Sequence, residues 1–131
     1  MGTIRKPAHP GNRAKQISTI LVVEDEVLVR FMLAGELRTA GYKVIEAVNA
    51  DEALEILAHD IDVSLVISDV RMPGSMDGLA LAKKVRIRYP QIRIIFASAN
   101  VPNIDVVDHD GLFLKPYAAS KIVNHVKTLL D

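Results

Sequence analysis

The sequence predicts an α/β protein, in which helices cover both sides of a parallel sheet, and two observations support this fold class. Short apolar runs of strand length alternate with longer segments of helical periodicity. Four of the apolar runs also lead into a polar residue, namely Asp25, Asp69, Ser98 and Lys115. Ligands of open α/β sheets bind just outside the carboxyl ends of the strands. These four residues are therefore expected to converge on one small site.

The predicted elements follow this alternation from residue 18 onwards. Five apolar runs suit strands buried in a sheet, and four segments place apolar residues at helix-like spacing. The predicted strands are 19–23, 42–48, 63–68, 92–97 and 112–114. The predicted helices are 26–40, 50–59, 79–89 and 118–130.

Local signals support two of these helices. Asn49 can cap the second helix, with Glu52 three residues later as the reciprocal partner of a capping box. Gly41 follows the first helix as a stop signal. The spacing that predicts the first helix rests on Leu28, Phe31, Met32, Gly35 and Leu37.

Length and composition restrict the class of protein. A chain of 131 residues is long enough for one domain. The absence of cysteine excludes disulfides, thiolate zinc sites and cysteine nucleophiles. Lysine plus arginine equals aspartate plus glutamate at 16 each, so charge gives no indication of nucleic-acid or membrane binding. No apolar stretch has the length of a membrane span and no signal-peptide pattern is visible, which predicts a cytoplasmic protein.

Residues 1–17 differ from the rest of the chain. They combine prolines, glycines and four basic residues without an acidic one, and they have no periodicity. This predicts a disordered extension ahead of one domain at 18–131, since chain termini are often poorly ordered. The alternative is a basic arm for an acidic partner.

Carboxylates dominate the predicted site. Glu24, Asp25 and Glu26 follow the first strand, and Asp69 follows the third. Carboxylates brought together would repel one another unless a cation binds, and Mg²⁺ prefers oxygen ligands and pairs with phosphates. The alternative for the acidic triplet is capping of the next helix, whose N-terminus favours negative charge. That alternative does not explain Asp69, because the next predicted helix begins well after it.

Lys115 and Ser98 extend this chemistry. Alone, Lys115 is typical of a solvated strand end, and Ser98 of a hydrogen bond within a turn. Beside two carboxylates and an incoming phosphoryl group, the ammonium would clamp charge and the hydroxyl would donate to a phosphoryl oxygen. Four such residues at equivalent strand ends predict a site for a divalent cation and a phosphoryl group.

Several motifs occur together and in order, and they resemble the receiver domain of two-component response regulators. The motifs are Leu21–Glu26, Ile67–Pro73, Met76–Gly78, Phe96–Ala99 and Leu114–Pro116. The resemblance covers about residues 18–131 and implies a flavodoxin-like, doubly wound sheet of five parallel strands in the order 2-1-3-4-5.

The resemblance also implies roles for the acidic residues. Asp69 would accept a phosphoryl group from a phosphohistidine on a sensor histidine kinase or a phosphotransfer protein. Glu24 and Asp25 would hold Mg²⁺ (or Mn²⁺), together with Asp69 and the backbone carbonyl of Arg71. The protein would then be a phosphorylated signalling switch with self-catalysed phosphorylation and dephosphorylation, not a metabolic enzyme.

By the same resemblance, Ser98 and Lys115 would read the phosphoryl oxygens, and the Lys115–Pro116 peptide would be cis. The chain ends with its last predicted helix, which suggests a stand-alone receiver that signals through protein partners without an output domain. A monomer or weak homodimer is expected. The sequence leaves open whether the protein is a phosphate sink, a relay intermediate or an allosteric regulator of another protein.

The sequence departs from the usual receiver pattern between the fourth and fifth strands. The aromatic switch residue of the family is replaced by Leu112, with Phe113 next to it. Only 16 residues separate Ser98 from Lys115, so a short or irregular fourth helix is expected. We hypothesise that ordering of residues 99–111 replaces the usual switch.

Phe96–Asn100, with an additional residue in the loop after Asp69, resembles the subgroup of stand-alone regulators named for its FATGUY motif. Ser98 and Ala99 replace the threonine and glycine of that motif. Arg71, Ala99 and Asn100 flank the predicted phosphoryl group, so we expect them to tune the lifetime of the acyl phosphate.

Three other classes of protein are alternatives to a phosphorylated receiver. A pseudo-receiver would use the fold as a binding module without phosphorylation, which the full set of site residues argues against. Aspartyl phosphohydrolases of another α/β fold have a second aspartate two residues after the first, where this chain has Arg71. A flavin-binding protein would need a phosphate-binding loop after the first strand, and none is present in the sequence.

Overall fold

The computed structural model describes residues 16–99 and 107–131, which form a five-stranded parallel sheet in the order β2-β1-β3-β4-β5. The strands are β1 (Thr19–Val23), β2 (Lys43–Ala47), β3 (Val63–Ser68), β4 (Arg93–Ser98) and β5 (Leu112–Leu114). The helices are α1 (Val27–Thr39), α2 (Ala50–Leu57), α3 (Gly78–Arg88) and α4 (Ala119–Leu130). The predicted fold class and strand order are confirmed, and the predicted element ends lie within one or two residues of these bounds.

Two hydrophobic layers hold the helices against the sheet. Successive side chains of a strand point to opposite faces. In β1, Leu21 and Val23 accordingly join the layer that includes α2 and α3, while Ile20 and Val22 join the layer that includes α1 and α4. Both faces of the central strands are therefore buried, which is why these strands read as continuous apolar runs.

The register of the strands brings their carboxyl ends to one level. Val23 at the end of β1 pairs with Ser68 at the end of β3. Ser98 at the end of β4 pairs with Leu114 at the end of β5. The residues that follow these pairs therefore leave the sheet at the same edge, as the sequence predicts.

Helix α1 buries only part of the apolar pattern that marks it in the sequence. Leu33, Ala34 and Leu37 are buried, whereas Leu28, Phe31 and Met32 are exposed at 74%, 65% and 67%. Apolar residues occur on both sides of this helix, so periodicity identifies the helix but cannot say which stripe faces the sheet.

Helix ends follow local hydrogen-bonding chemistry. The Asn49 side chain accepts a hydrogen bond from the Glu52 N–H at 2.8 Å, as predicted for α2. The Glu52 carboxylate accepts from Val48, one residue before the cap, and not from Asn49 itself. Asp77 caps α3 by accepting from the Ala80 N–H. Gly41, with φ of +104°, turns the chain after α1.

Some predictions fall outside the described residues. The sequence predicts a short or irregular helix between β4 and β5. Residues 107–111 of this segment contain no helix, and residues 100–106, which include Asn100, lie outside the described part of the chain. Most of the predicted extension at 1–17 also lies outside, so these predictions and the hypothesis for 99–111 stay untested. Within the described ranges, no helix is long and apolar enough to cross a membrane.

Candidate functional site

Asp69 is the centre of the candidate site. It directly follows β3, is 7% exposed, and its N–H donates to the Val23 carbonyl. Ser98 Oγ donates to Asp69 Oδ1 at 2.6 Å, and Lys115 Nζ donates to Asp69 Oδ2 at 2.8 Å. The Arg71 N–H also donates to Oδ1, at 3.2 Å. Donors from the end of β4, from the segment after β5 and from the loop after β3 thus meet at one carboxylate.

Lys115 contacts three acidic side chains of the site. Besides Asp69, its Nζ lies 2.6 Å from Glu24 Oε1 and 3.1 Å from Glu26 Oε1. Burial is the largest influence on the Lys115 pKa and lowers it, but the hydrogen bonds to the three carboxylates outweigh burial. The net result is a Lys115 pKa well above its usual value, so the ammonium stays charged. The Lys115–Pro116 peptide is cis, as the resemblance implies.

Glu24 is the most buried of the acidic residues in the site. It is 4% exposed, and burial raises the pKa of its carboxyl, against the opposing effects of Lys115 and the Glu26 N–H. Its second oxygen accepts from the Glu26 N–H at 3.0 Å. Glu26 is the N-cap of α1 and makes no side-chain cap. The acidic triplet therefore faces the site and does not cap the first turn of α1.

Carboxylate oxygens of Glu24, Asp25 and Asp69 all lie within 4.8 Å of one another. Three carboxylates carry more negative charge than the one ammonium of Lys115 offsets, and oxygen donors suit Mg²⁺. Asp25 is exposed and makes no hydrogen bond or ion pair within 16–99 and 107–131, which leaves its oxygens available. These residues fit a divalent cation.

The predicted tuning residues lie at the rim of the site. Arg71 is exposed and contacts Asp69 through its backbone N–H, while the metal-ligand role of its carbonyl stays a prediction. Ala99 is exposed and lines a groove together with Lys115 and Pro116. Asn100 lies outside the described residues.

The two candidate switch residues point to opposite sides of the sheet. Leu112 packs, partly buried, against the layer of α2 and α3. Phe113 packs against the layer of α1 and α4, where its ring meets the His125 ring edge-on at 5.7 Å. Leu112 is also the strand partner of Phe96, two residues before Ser98. Which of them responds to phosphorylation stays a prediction.

Sequence reasoning missed three supporting residues. Ser68 Oγ donates to the Asp69 carbonyl at 2.7 Å. Gly78 allows α3 to start against the Asp69 backbone, because a Cβ there would overlap the Asp69 carbonyl oxygen. Arg30 donates to the Glu24 carbonyl. All three act on backbone atoms, which every residue has, so their roles leave no signature in the sequence spacing.

Comparison with known proteins identifies the family. Residues 20–127 match the response regulator receiver domain. The chain belongs to this family. Receiver domains of two-component systems bind Mg²⁺ and interact with histidine kinases or phosphotransfer proteins.

Individual relatives agree with the family match. This receiver domain is 37% identical over 120 residues to the sensor kinase CckA of Brucella abortus, covering 87% of this chain and 13% of the kinase. Its structure resembles TrrA of Thermotoga maritima in complex with Mg²⁺–BeF, with a TM-score of 0.77 and 32% identity over 87% of this chain and 100% of TrrA. A receiver domain protein from Methanospirillum hungatei shares the fold, with a TM-score of 0.81 and 23% identity over 88% and 95% of the two chains.

The chain spans half or less of the length of the first curated relatives that it matches. The similarity therefore concerns their receiver domains. None of these matches separates out the FATGUY-motif subgroup, so that assignment stays a prediction.

Proposed function

We propose that this receiver domain accepts a phosphoryl group on Asp69 from a phosphohistidine of a kinase or phosphotransfer protein. The observation that carries the proposal is the set of donors around Asp69. Ser98 and Lys115 already donate to its two carboxylate oxygens. They are therefore within reach of phosphoryl oxygens once these are bound there.

The chemistry is a displacement at phosphorus. One carboxylate oxygen of Asp69 bonds to phosphorus as the phosphorus–nitrogen bond to the donor imidazole breaks. Two anions must approach, so positive charge is the main requirement, and positioning does most of the rest. Lys115 offsets charge on the attacking carboxylate, and the Ser98 hydroxyl donates to a phosphoryl oxygen.

Glu24, Asp25 and Asp69 would hold Mg²⁺ in this proposal. The ion would supply further charge neutralisation for the carboxylate and the phosphoryl oxygens. Their close approach and the availability of Asp25 support this role. TrrA in complex with Mg²⁺–BeF, a relative of the same fold, supports it as well.

The protein acts in this proposal as a switch that catalyses its own phosphorylation and hydrolysis, and not as a metabolic enzyme. Arg71 stands at the rim, with its backbone bonded to Asp69. We expect the exposed Arg71 side chain to affect how water reaches the acyl phosphate. Replacing Arg71 should therefore change the acyl-phosphate lifetime.

Acetyl phosphate with Mg²⁺ tests the phosphoacceptor. One added phosphoryl group is expected by intact mass in the unchanged chain, and none in Asp69→Asn. Asp77→Asn is the matched control, because asparagine can still cap α3 and should leave phosphorylation intact. The assignment would be overturned if Asp69→Asn were labelled as fully as the unchanged chain. It would also be overturned if neither acetyl phosphate nor a phosphorylated kinase labelled the unchanged chain.

The exposed apolar stripe of α1 is proposed as the docking surface of the phosphodonor protein. Leu28, Phe31 and Met32 are exposed there. Met32 also lines a groove of about 490 Å³ that reaches Lys115. We expect a protein that delivers a phosphoryl group to Asp69 to approach along this groove and to cover the stripe.

Phe31→Ser tests the docking surface. Phosphorylation by a phosphorylated histidine kinase should slow by about tenfold, because loss of a buried aromatic anchor costs on the order of 1.4 kcal/mol or more. Phosphorylation by acetyl phosphate should be unchanged, since that donor needs no docking. Ile87→Ser, on α3 and 80% exposed, is the control. Equal slowing with both donors, or by both variants, would contradict the assignment.

A further inference from the structure

Arg30 connects helix α1 to the backbone of the acidic pair. Its Nη1 donates to the Glu24 carbonyl at 2.8 Å, and its Nε donates to Glu46 Oε1 on β2 at 3.2 Å. The Arg30 side chain is only 14% exposed. One guanidinium thus joins the loop after β1, the helix that follows it and the neighbouring strand.

The bonded carbonyl lies where the chain leaves the sheet. The Glu24 N–H still donates to the Ala47 carbonyl of β2, and α1 starts at Val27. The Glu24–Asp25 peptide therefore has no regular secondary structure on its carboxyl side. A bond to this carbonyl fixes the orientation of the peptide that carries both acidic side chains.

Asp25 depends most on this peptide. Glu24 has Lys115 and the Glu26 N–H as side-chain partners. The Asp25 carboxylate makes no bond within the parts of the chain that are described. Its position is therefore set by its backbone alone, and the Arg30 bond acts on the peptide directly before it.

We propose that Arg30 is a positioning residue for the Glu24–Asp25 pair, and that Glu46 on β2 holds the Arg30 guanidinium in place for this task. The inference rests on the proposed Mg²⁺ site. It adds that the Mg²⁺ affinity of this site depends on the Arg30–Glu46 contact with the edge strand β2, which lies outside the three carboxylates. Groups that orient metal ligands commonly affect metal affinity by about 10–100-fold.

Lysine should not replace Arg30 fully. The guanidinium presents donors in fixed directions, so Nε and Nη1 reach Glu46 and the Glu24 carbonyl together. An ammonium on a flexible stem could bond either group but would not hold the angle between them.

The chain provides a matched control in Arg38. Arg38 Nη1 donates to the other oxygen of Glu46 at 3.1 Å, and its Nη2 donates to the Val44 carbonyl at 3.0 Å. It has the same carboxylate partner and a backbone carbonyl of β2, but no contact with Glu24. Arg38→Met thus removes a similar set of bonds without touching the acidic pair.

The first measurement is the Mg²⁺ affinity of the unphosphorylated protein, monitored by amide chemical shifts during a Mg²⁺ titration. We expect the Kd to rise about tenfold in Arg30→Met, by a smaller factor in Arg30→Lys, and by less than twofold in Arg38→Met. The second measurement needs no metal: amide hydrogen exchange at Asp25 and Glu26 should become faster in Arg30→Met and stay unchanged in Arg38→Met.

A Kd in Arg30→Met within twofold of the unchanged chain would overturn the positioning role, as would equal losses in Arg30→Met and Arg38→Met. Circular dichroism verifies that each variant is folded. If Arg30→Met does not fold, Glu46→Gln decides. An approximately threefold rise in the Mg²⁺ Kd supports the positioning role of Arg30, and no rise contradicts it. Absence of Mg²⁺ binding in the unchanged chain would instead refute the proposed metal site.

Discussion

Ser98 and Lys115 each have an ordinary explanation when taken alone, and it is their shared partner, Asp69, that changes the interpretation. Ser98 is 1% exposed, and its hydroxyl donates to a carboxylate oxygen of Asp69. A second serine, Ser68, is equally buried, but its hydroxyl donates to the Asp69 backbone carbonyl. These two serines at neighbouring strand ends thus contact different oxygens of Asp69.

Ser98→Ala should slow phosphorylation by acetyl phosphate about tenfold or more. A hydrogen bond to a charged group is worth about 1.5–3 kcal/mol, and each 1.4 kcal/mol is a factor of ten in rate. Ser68→Ala removes a bond to a neutral carbonyl and should lower stability by about 1 kcal/mol while leaving the rate within twofold. Rates are measured by intact mass in a time course. Equal slowing in the two variants would contradict a direct role for the Ser98 hydroxyl.

At the scale of elements, the loop between β3 and α3 holds Asp69 through close backbone packing. The Gly78 N–H donates to the Val70 carbonyl at 2.7 Å. A Cβ on Gly78 would overlap the Asp69 carbonyl oxygen and lie 2.9 Å from Val70 Cα. Backbone cannot move aside as a flexible side chain can, so α3 can start at this point only with glycine.

Gly78→Ala should therefore destabilise the protein by about 2–3 kcal/mol, as expected for overpacking against rigid atoms. Gly35→Ala is the matched control, since no atom lies within 4 Å of a Cβ there and alanine favours a helix by about 1 kcal/mol. Urea unfolding gives both free energies. A Gly78→Ala variant as stable as the unchanged chain would show that the loop relaxes and that its packing does not constrain Asp69.

Sequence patterns predicted the sheet and its carboxyl edge because both are recorded locally. An apolar run that leads into Asp69 or Lys115 indicates both a strand and the end of that strand at which the site lies. The buried side of α1 could not be predicted, because Leu28 and Phe31 form an apolar stripe as regular as the buried one. The Arg30 bond to Glu24 was equally hidden, since its acceptor is a backbone carbonyl that every residue has.

At the scale of the whole molecule, a side-chain contact joins two elements that lie far apart in the chain, at the edge of the sheet opposite the site. The Tyr42 hydroxyl donates to Asp131 Oδ1 at 3.1 Å, joining the start of β2 to the end of α4. Burial, and then Asp131, raise the pKa of Tyr42 from 10 to about 12. The contact lies at the amino end of β2, whereas the candidate site lies at the carboxyl ends of the strands.

Tyr42→Phe should lower the free energy of unfolding by about 1 kcal/mol at neutral pH and leave phosphorylation unchanged. The pKa of Tyr42 is higher in the folded protein than in the unfolded chain. The stability advantage of tyrosine over phenylalanine is therefore complete below pH 10 and declines between pH 10 and 12, where the unfolded chain loses the Tyr42 proton first. Tyr89→Phe is the control, since the Tyr89 hydroxyl makes no hydrogen bond within 16–99 and 107–131. A stability difference for Tyr42→Phe that stays constant from pH 8 to 12 would contradict the contact.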